Sequence, residues 1–469
     1  METATRLARR PKPFIFPEYC KGCGRCIESC PKECFTKGTE INPLTGLVPI
    51  SLDLTNCNGC GLCISACPEP FGLRPQGEET AFLPADPAAL FGPRPFDAPE
   101  PERRPDRMIP LAEREPIVVK GTYAAAIGAI LAGCRHVYGY PITPSTEGAE
   151  LMAKVLPQLD GVFVQAVSEV ATVNMMYGAG GAGKRCMTFT SSPGFSLMLE
   201  GVSYMIGSEV PAVFVDVMRG GPGLGNIGPE QSDIKLACRG LGHGNTHAIV
   251  LAPATPQEML DLAMLSFDLA FTYRNPVVIL GDGYLGQMTG KVALPRHMVE
   301  PGMPEWAVFG DRSHRGNLIC SIDLSEVDLE RHNEHLNEKY GRMTADEQRA
   351  DLHRCEDAEI LVVACNTPSQ LAKGAIKELR DRGLKVGLFR PITLWPFPIE
   401  AIMRVLPRIT QVVVVEASSG QLEDELRLAL SHAGVHAPPP IGHVQRMGGI
   451  LPSQAEIVEH VLALQKEAA

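Results

Sequence analysis

Short apolar runs alternate with amphipathic stretches along most of the chain after residue 117. The runs are rich in β-branched residues and predict buried strands, whereas the stretches between them have the apolar spacing of helices. The predicted strands are His136–Tyr140, Val162–Val167, Arg185–Thr190, Ala212–Val217, His247–Leu251 and Val277–Leu280. The predicted helices include Thr122–Ala132, Val170–Gly178, Phe195–Ile206 and Gln257–Tyr273. This alternation predicts a doubly wound, mostly parallel α/β sheet.

A second pattern of the same kind follows in the last part of the chain. Its predicted strands are Ile360–Ala364, Val386–Phe389 and Gln411–Glu416. Its predicted helices are Pro368–Arg382, Ile399–Leu406, Gly420–His432 and Pro452–Lys466. A charged stretch, Ser325–Arg354, lies between the two patterns and is predicted to be a helical connector.

The bulk composition narrows the range of partners. The formal net charge is −11, which argues against nucleic acid or an anionic membrane as the main partner. No apolar run approaches the length of a membrane span, and the first residues lack the apolar core of a secretory signal. We therefore expect a cytoplasmic protein.

Two segments near the N-terminus carry the same cysteine spacing. The chain has 15 cysteines, and nine of them fall between Cys20 and Cys67. The segments are Cys20-x2-Cys23-x2-Cys26-x3-Cys30-Pro31 and Cys57-x2-Cys60-x2-Cys63-x3-Cys67-Pro68. In bacterial two-cluster ferredoxins, the fourth cysteine of each such run ligates the other cluster. The spacing therefore assigns one [4Fe–4S] cluster to Cys20, Cys23, Cys26 and Cys67, and the other to Cys57, Cys60, Cys63 and Cys30.

A pair of zinc sites is the alternative, because Cys-x2-Cys pairs also form zinc ribbons. Two copies of a four-cysteine run, each ending in Cys-Pro, favour clusters over zinc. Cys34 has no ligand position left and is predicted to be a small buried residue. The same prediction applies to the scattered cysteines Cys134, Cys186, Cys238, Cys320, Cys355 and Cys365. Because clusters of this kind move single electrons, the rest of the chain is expected to produce or consume them.

A polar segment follows the first strand of the first α/β pattern. It reads Tyr140-Pro141-Ile142-Thr143-Pro144-Ser145-Thr146-Glu147 and lies at the carboxyl edge of the predicted sheet, where such folds bind ligands. Taken alone, Thr143 and Ser145 are typical helix caps, and the prolines are typical of turns. The segment by itself therefore leaves a structural and a functional interpretation open.

Together with other motifs in order, this segment resembles the α subunits of 2-oxoacid:ferredoxin oxidoreductases. The other motifs are Ser168-Glu169, Thr190–Met198 (TSSPGFSLM), Arg219–Gly225 (RGGPGLG), Gln231-Ser232-Asp233, Gly281–Met288 (GDGYLGQM), Arg390–Pro398 (RPITLWPFP) and Arg446–Gly449 (RMGG). The resemblance extends from about residue 117 to the C-terminus.

The resemblance implies a thiamine-diphosphate site that is split between two chains. This chain would bind the aminopyrimidine ring through Glu169 and through Tyr140, Pro141 and Ile142, while a β subunit would hold the diphosphate and Mg²⁺. A carboxyl group suits the position of Glu169, because burial raises a carboxyl pKa and favours sharing a proton with the ring nitrogen. The alternative is a first-turn acid that interacts only with the helix dipole.

Two further residues are candidates for binding the substrate. Thr143 resembles the family threonine that hydrogen-bonds the 2-oxoacid. Arg219 follows a predicted strand, where a guanidinium suits bidentate binding of the substrate carboxylate, although a surface salt bridge is the alternative. Gly281-Asp282-Gly283 begins like the Mg²⁺ motif of thiamine enzymes, but no asparagine follows before Asn317. The Mg²⁺ site is therefore expected in the partner.

The implied reaction is coenzyme A-dependent oxidative decarboxylation of a 2-oxoacid to acyl-CoA and CO₂. Electrons would pass through the chain's own clusters to a soluble ferredoxin or another acceptor, in a complex with a β and a γ subunit. The motif details resemble branched-chain enzymes, with an aromatic substrate as an option. Ile142, Phe195, Met198 and Leu224 would suit an uncharged substrate or could belong to the core. The alternatives are a non-catalytic electron-transfer or assembly subunit, an enzyme for pyruvate or 2-oxoglutarate, or one running reductively.

Five segments are expected from these patterns. They are an α+β bacterial ferredoxin-like module at 1–80, a proline-rich linker at 81–116, a doubly wound pyrimidine-type thiamine-diphosphate-binding domain at 117–290, a connector at 291–355, and a transketolase C-terminal-like α/β domain at 356–469. Nine prolines between Pro84 and Pro116, without hydrophobic periodicity, define the linker.

Overall fold

The structure is a computed structural model that describes residues 11–43, 45–69, 72–77, 105–311, 313–314 and 316–468. The chain forms two units, Met1–Pro101 with Glu305–Leu336, and Glu102–Pro304 with Asn337–Ala469. The segment predicted as a single connector, 291–355, is thus divided between the two units. Most of the predicted proline-rich linker, residues 81–104, lies outside the described residues.

The first unit is built from very short elements. Its strands are β1 (Pro13–Ile15), β2 (Phe35–Lys37), β3 (Ile50–Leu52) and β4 (Leu73–Pro75), and its helices include α1 (Arg25–Glu28) and α2 (Leu62–Ala66). β1 pairs antiparallel with β4, and β2 pairs antiparallel with β3. Gly24 and Gly61 precede the two helices with φ of 79° and 81°, a left-handed conformation that favours glycine.

The first part of the second unit contains the predicted parallel sheet. The strands of this part of the chain are β5 (Arg107–Pro110), β6 (Ile117–Lys120), β7 (His136–Gly139), β8 (Val162–Gln165), β9 (Cys186–Thr190), β10 (Val213–Met218), β11 (Ile249–Leu251), β12 (Val277–Asp282), β13 (Thr289–Val292) and β14 (His297–Glu300). Of these, β7 to β12 belong to the parallel sheet, whereas β5 pairs with β14 and β6 with β13. Its helices are α3 (Gly121–Leu131), α4 (Thr146–Val155), α5 (Glu169–Gly181), α6 (Ser192–Gly207), α7 (Ile234–Arg239), α8 (Pro256–Tyr273) and α9 (Gly283–Gln287), with a 3₁₀ turn at Leu156–Leu159.

The charged stretch predicted as one helix, Ser325–Arg354, is shorter than expected. Helix α10 (Glu326–Asp346) ends eight residues earlier, and Ala350–His353 forms strand β15 instead. The prediction was wrong there because this half-buried edge strand contains few apolar residues. In the first unit, the start of α10 forms ion pairs from Asp328 to Lys37 and from Glu326 to Arg25.

A second sheet completes the second unit. Its remaining elements are β16 (Ile360–Val363), β17 (Val386–Pro391), β18 (Thr393–Trp395), β19 (Gln411–Glu416) and β20 (Ile441–Gln445), with α11 (Asn366–Asp381), α12 (Ile399–Met403), α13 (Gln421–His432), α14 (Gln454–Ala468) and a 3₁₀ turn at Leu406–Arg408. The strand order is β15-β17-β16-β19-β20, with β15 antiparallel and the others parallel.

The second α/β part of the second unit contributes one strand to the sheet of the first part. The first sheet has the order β18-β11-β12-β10-β9-β7-β8, so that β18, from the later sequence, pairs antiparallel with β11. All other pairs in this sheet are parallel. Helices α3 and α8 pack closely, since a Cβ on Gly128 would lie 2.4 Å from the Leu260 carbonyl oxygen. In the described part of the chain, no helix combines the length and apolarity required to cross a bilayer.

Candidate active site

Four neighbouring strands of the first sheet end at one edge, and each is followed by a predicted site segment. β7 leads to Tyr140–Pro144, β8 to Ser168 and Glu169, β9 to Ser191 and Ser192, and β10 to Arg219. Because these strands are parallel and adjacent, their carboxyl ends face the same way. The sheet therefore brings the segments that contain Thr143, Glu169 and Arg219 to a common edge.

Glu169 is the first residue of α5 and is buried, with 5% of its surface exposed. The hydroxyl of Ser168 caps the helix by accepting a hydrogen bond from the Ala171 amide at 3.2 Å. A Cβ placed on Gly194 would lie 2.7 Å from Glu169 Oε1, so the carboxyl group lies directly against the first turn of α6. Of the described residues, none donates a hydrogen bond to this carboxyl group.

The hydroxyl groups of Thr190, beside Glu169, and of the next residue, Ser191, have no partners among the residues that the structure describes. Thr190 Oγ1 and Ser191 Oγ are buried and form no hydrogen bond, and Thr190 Oγ1 would lie 2.4 Å from a Cβ on Gly194. Buried polar groups are normally hydrogen-bonded, and exceptions often mark a ligand site. A buried carboxyl group with unpaired hydroxyl groups beside it fits a polar heteroaromatic ring such as an aminopyrimidine.

Replacing Gly194 by alanine is expected to weaken cofactor binding. Its Cβ would approach Glu169 Oε1 and Thr190 Oγ1 within 3.0 Å, so the carboxyl group must move. A displacement of this size is expected to raise the half-saturating concentration of thiamine diphosphate about 10²-fold, measured as activity of the purified complex. Gly178→Ala on helix α5 is the control, because nothing lies within 4 Å of its Cβ position. An unchanged titration for Gly194→Ala would contradict the position of Glu169 in the site.

Arg219 and Thr143 are in direct contact. Arg219 is 7% exposed and forms no ion pair among the described residues, so the surface salt bridge is not its role. Its Nη1 donates to the Thr143 carbonyl oxygen at 2.8 Å and its Nη2 to the Leu224 carbonyl oxygen at 3.1 Å. Its Nε is buried and has no partner within the described part of the chain. A guanidinium has five N–H donors, so donors remain for a ligand.

The other residues predicted to contact the cofactor lie in the same turn. Ser145 donates from its hydroxyl to the Ile142 carbonyl oxygen at 2.8 Å and does not cap helix α4. Gln287, from the GDGYLGQM motif, donates to the Pro144 carbonyl oxygen at 3.1 Å. These bonds hold a turn whose residues range from half-buried to exposed: Tyr140, Pro141, Ile142 and Thr143.

Glu230 was not singled out from the sequence, although it connects two glycine-rich loops. Its carboxylate accepts a hydrogen bond from the Gly221 amide at 2.9 Å and from the Gly448 amide at 3.3 Å. It lines a cavity of about 400 Å³, together with the start of α6 and the Ser418-Ser419 loop. Its position next to the Gln231-Ser232-Asp233 motif was the one sign in the sequence that Glu230 belongs to the site. Its role could not be predicted, because its hydrogen-bond partners lie 9 and 218 residues away in the chain.

Asp282 of the GDG segment serves the structure and is not free for a metal. It is fully buried, and its Oδ1 accepts hydrogen bonds from the Tyr284 and Leu285 amides at 3.0 and 2.9 Å. Its Oδ2 accepts one from the Thr367 amide at 2.8 Å. These bonds join the end of β12 to the start of α11.

The N-terminal cysteines form two groups that cross between the segments. Cys67 lines a small cavity with Cys20, Cys23 and Cys26. The Cys63 thiol is within electrostatic range of Cys30, Cys57 and Cys60. Backbone amides approach two of the sulfurs, from Ile50 to Cys20 Sγ at 3.4 Å and from Cys34 to Cys30 Sγ at 3.5 Å.

The spacing of the cysteine side chains differs from that of a mononuclear zinc site. Within the described residues, no three cysteine, histidine or acidic side chains converge on a single metal ion. A zinc site needs four ligands at about 2 Å from one ion, whereas a four-iron cube is bound by more widely spaced thiolates. Cys34 and five of the six scattered cysteines are buried, as predicted. Cys320 is half-exposed, so the prediction of a buried residue was wrong there.

Family models match three parts of the chain. They are the 4Fe-4S dicluster domain at 16–70, the thiamine diphosphate-binding domain of pyruvate flavodoxin/ferredoxin oxidoreductases at 127–320, and core domain II of pyruvate:ferredoxin oxidoreductase at 358–457. The matches follow the order of the module and the two α/β parts.

Individual relatives agree with these matches. The chain is 46% identical over 346 residues to the ketoisovalerate oxidoreductase subunit VorB of Methanothermobacter thermautotrophicus, covering 73% of this chain and 96% of the relative. It is 33% identical over 367 residues to the 2-oxoglutarate synthase subunit KorA of Methanocaldococcus jannaschii, covering 73% and 98%.

A solved structure is similar in fold as well. The 2-oxoglutarate:ferredoxin oxidoreductase from Magnetococcus marinus, with 2-oxoglutarate, coenzyme A and succinyl-CoA bound, aligns with a TM-score of 0.66 and 28% identity. The alignment covers 75% of this chain and 65% of that chain. The predicted fold class is confirmed, and the chain belongs to the family of 2-oxoacid:ferredoxin oxidoreductases, multi-subunit enzymes with ferredoxin as electron acceptor.

Proposed function

We propose that this chain is the subunit that binds the aminopyrimidine ring of thiamine diphosphate in a branched-chain 2-oxoacid:ferredoxin oxidoreductase. The reaction is the coenzyme A-dependent oxidative decarboxylation of the 2-oxoacid to acyl-CoA and CO₂. The observation that supports it is Glu169, a residue that is 5% exposed at the sheet edge and whose carboxyl group lies against Gly194, beside the Thr190 hydroxyl group, which has no partner among the described residues.

Each of the three site residues has a separate task. Glu169 holds a proton at the ring nitrogen of the aminopyrimidine, which requires a group that can both donate and release it. Thr143, with its side chain exposed at the edge, hydrogen-bonds the substrate. Arg219 binds the substrate carboxylate with the donors that the Thr143 and Leu224 carbonyl groups leave free. The bound thiamine supplies the carbanion chemistry that releases CO₂.

A partner subunit covers the sheet edge and supplies the diphosphate and Mg²⁺ site. Val167 is 87% exposed and Leu224 82%, which is unusual for apolar side chains of this size. Further exposed apolar side chains follow the same strand ends or lie on the adjoining helices: Val170, Leu197, Ile227 and Tyr284. Asp282 is engaged in structural bonds, which is consistent with a Mg²⁺ site in the β subunit. A γ subunit completes the complex.

The N-terminal unit carries the electrons away. Cys20, Cys23, Cys26 and Cys67 ligate one [4Fe–4S] cluster, and Cys57, Cys60, Cys63 and Cys30 ligate the other. Two clusters accept the two electrons of the reaction one at a time. Electrons then leave to a soluble ferredoxin.

The substrate is a branched-chain 2-oxoacid such as 2-oxoisovalerate. Identity to the ketoisovalerate relative is 46%, against 33% for a 2-oxoglutarate relative. Phe195 and Met198 are fully buried core residues and do not line the site, whereas Ile142 is half-buried and Leu224 exposed at the edge. Apolar side chains around the substrate disfavour binding of 2-oxoglutarate, because its second carboxylate would lose its hydration without gaining a partner.

A panel of 2-oxoacids tests this function. With coenzyme A and a viologen dye as anaerobic acceptor, kcat/KM of the purified complex is expected to be about 10²-fold higher for 2-oxoisovalerate than for 2-oxoglutarate. Pyruvate and an aromatic 2-oxoacid complete the panel, and assays without coenzyme A are the control. Faster reduction with 2-oxoglutarate would contradict the substrate assignment. No reduction with any 2-oxoacid by the thiamine-loaded complex would favour a non-catalytic electron-transfer subunit.

A further inference from the structure

The main chain of Arg219 is held by two serine hydroxyl groups. Its amide donates to Ser192 Oγ at 3.0 Å, and its carbonyl oxygen accepts from Ser232 Oγ at 3.0 Å. Arg219 lies just beyond the end of β10, and its sheet-like pairing with the described residues is an isolated bridge to Pro229. The two hydroxyl groups therefore take the place of the strand-to-strand hydrogen bonds that would otherwise hold the main chain of this residue.

Asp233 connects the two serines to a buried acid. Its Oδ2 accepts a hydrogen bond from the Ser192 hydroxyl and lies 3.4 Å from Ser232 Oγ. Asp216, three residues before Arg219 on β10, is fully buried next to Asp233. Burial raises the pKa of Asp216 well above its usual range, and the neighbouring Asp233 raises it further. Burial raises the pKa of Asp233 as well, while hydrogen bonds from Ser192 and Ser232 lower it, so Asp216 is the carboxyl group of the pair that more readily keeps its proton.

The same helix turn supports both halves of the site. Ser192 begins α6, and Gly194, two residues later, lies against the Glu169 carboxyl group. A change at Ser192 that reached the helix would therefore disturb Glu169, whereas loss of its hydroxyl alone would free the Arg219 main chain. These two effects have different kinetic signatures, because Glu169 acts on the cofactor and Arg219 on the substrate.

We propose that Ser192, Ser232 and Asp233 are positioning residues that hold Arg219 so that its guanidinium bonds the Thr143 carbonyl group and keeps Nε free for the substrate carboxylate. The proposal rests on the role assigned to Arg219 above. It adds a network that acts through the Arg219 main chain, at three residues that also line the cavity of about 400 Å³ described above. The network is charge-assisted, since Ser192 donates to a carboxylate, and such bonds are stronger than neutral ones.

The test measures the 2-oxoacid KM, kcat and the half-saturating thiamine diphosphate concentration of the complete complex. Ser192→Ala is expected to raise the KM about 10-fold, while kcat and the thiamine diphosphate titration stay within about three-fold of wild type. Ser192→Thr keeps the hydroxyl and is expected to restore the KM to within about three-fold. Asp233→Asn keeps the shape of the side chain and removes its charge, and we expect it to raise the KM, as Ser192→Ala does. Ser196→Ala is the control, because its hydroxyl donates to the Pro193 carbonyl of the same helix and, among the described residues, forms no bond to Arg219.

Arg219→Lys separates this proposal from the function on which it rests. If Arg219→Lys raises the KM and Ser192→Ala does not, the positioning network is wrong and the role of Arg219 stands. If Arg219→Lys leaves the KM unchanged, the role of Arg219 and the network both fail. A Ser192→Ala complex that loses kcat and thiamine affinity with an unchanged KM would also overturn the network, since that result reports a disturbed α6.

Discussion

Replacing Glu169 by glutamine is expected to lower kcat for viologen reduction about 10²- to 10⁴-fold, the usual contribution of a positioned general acid–base group. Glutamine has nearly the same size, so it fits beside Gly194, where the carboxyl group already lies 2.7 Å from a Cβ position. It can hydrogen-bond a ring nitrogen, but it cannot exchange a proton with it. The loss should therefore appear in kcat, with a smaller change in the half-saturating concentration of thiamine diphosphate.

The control variant is Glu150→Gln, an exposed glutamate on helix α4 of the same sheet domain, which is expected to match wild type. The cluster absorption spectrum should be unchanged in both variants, because the cysteine ligands are distant in sequence and untouched. If Glu169→Gln is as fast as wild type, the residue is a structural acid at the start of α5. The chain would then be better interpreted as an electron-transfer subunit.

The parallel sheet could be predicted from sequence because its inner strands are continuous apolar runs. β10 and β12 are buried along their whole lengths, and runs of this kind are typical of sheets covered on both faces. Strand β18 could not be predicted, since three residues of the RPITLWPFP motif pair with β11 about 140 residues earlier in the chain. Strand β20 was missed because its residues are mostly half-buried and include a glycine and a histidine.

The motifs that revealed the family do not all belong to the active site. Arg390 forms a bidentate ion pair with Glu258 at 2.9 and 2.8 Å, which joins the two α/β parts of the second unit. Gln231 donates to Asn366 Oδ1 at 3.0 Å and accepts from the Ala417 amide at 2.8 Å. Sequence reasoning recognised these residues as signatures but not their roles, because each partner lies more than 100 residues away. Spacing along the chain is informative only where the partners are local, as in the cysteine runs.

Loss of a single cysteine ligand is expected to remove one cluster and leave the other. Cys23→Ser should lower the iron content from about eight to about four per chain, because each cube contains four irons. Cys67→Ser should remove the same cluster although it lies in the other segment, since Cys67 lines a cavity with Cys20, Cys23 and Cys26. Cys60→Ser and Cys30→Ser should both remove the second cluster. Iron analysis and the electron paramagnetic resonance spectrum of the reduced complex distinguish the two classes of variant.

Cys34→Ser is the matched control, because Cys34 is buried beside the ligands and its amide donates to Cys30 Sγ at 3.5 Å. It should retain both clusters, since only its side chain changes and the amide remains. If Cys67→Ser leaves the spectrum of the Cys20 cluster intact, each segment ligates its own cluster and the crossed assignment is wrong. With the crossed assignment, all four ligand variants should lose ferredoxin reduction. Glu169→Gln, in contrast, keeps its iron and loses turnover, so iron content separates failure of the electron relay from failure of the carbon chemistry.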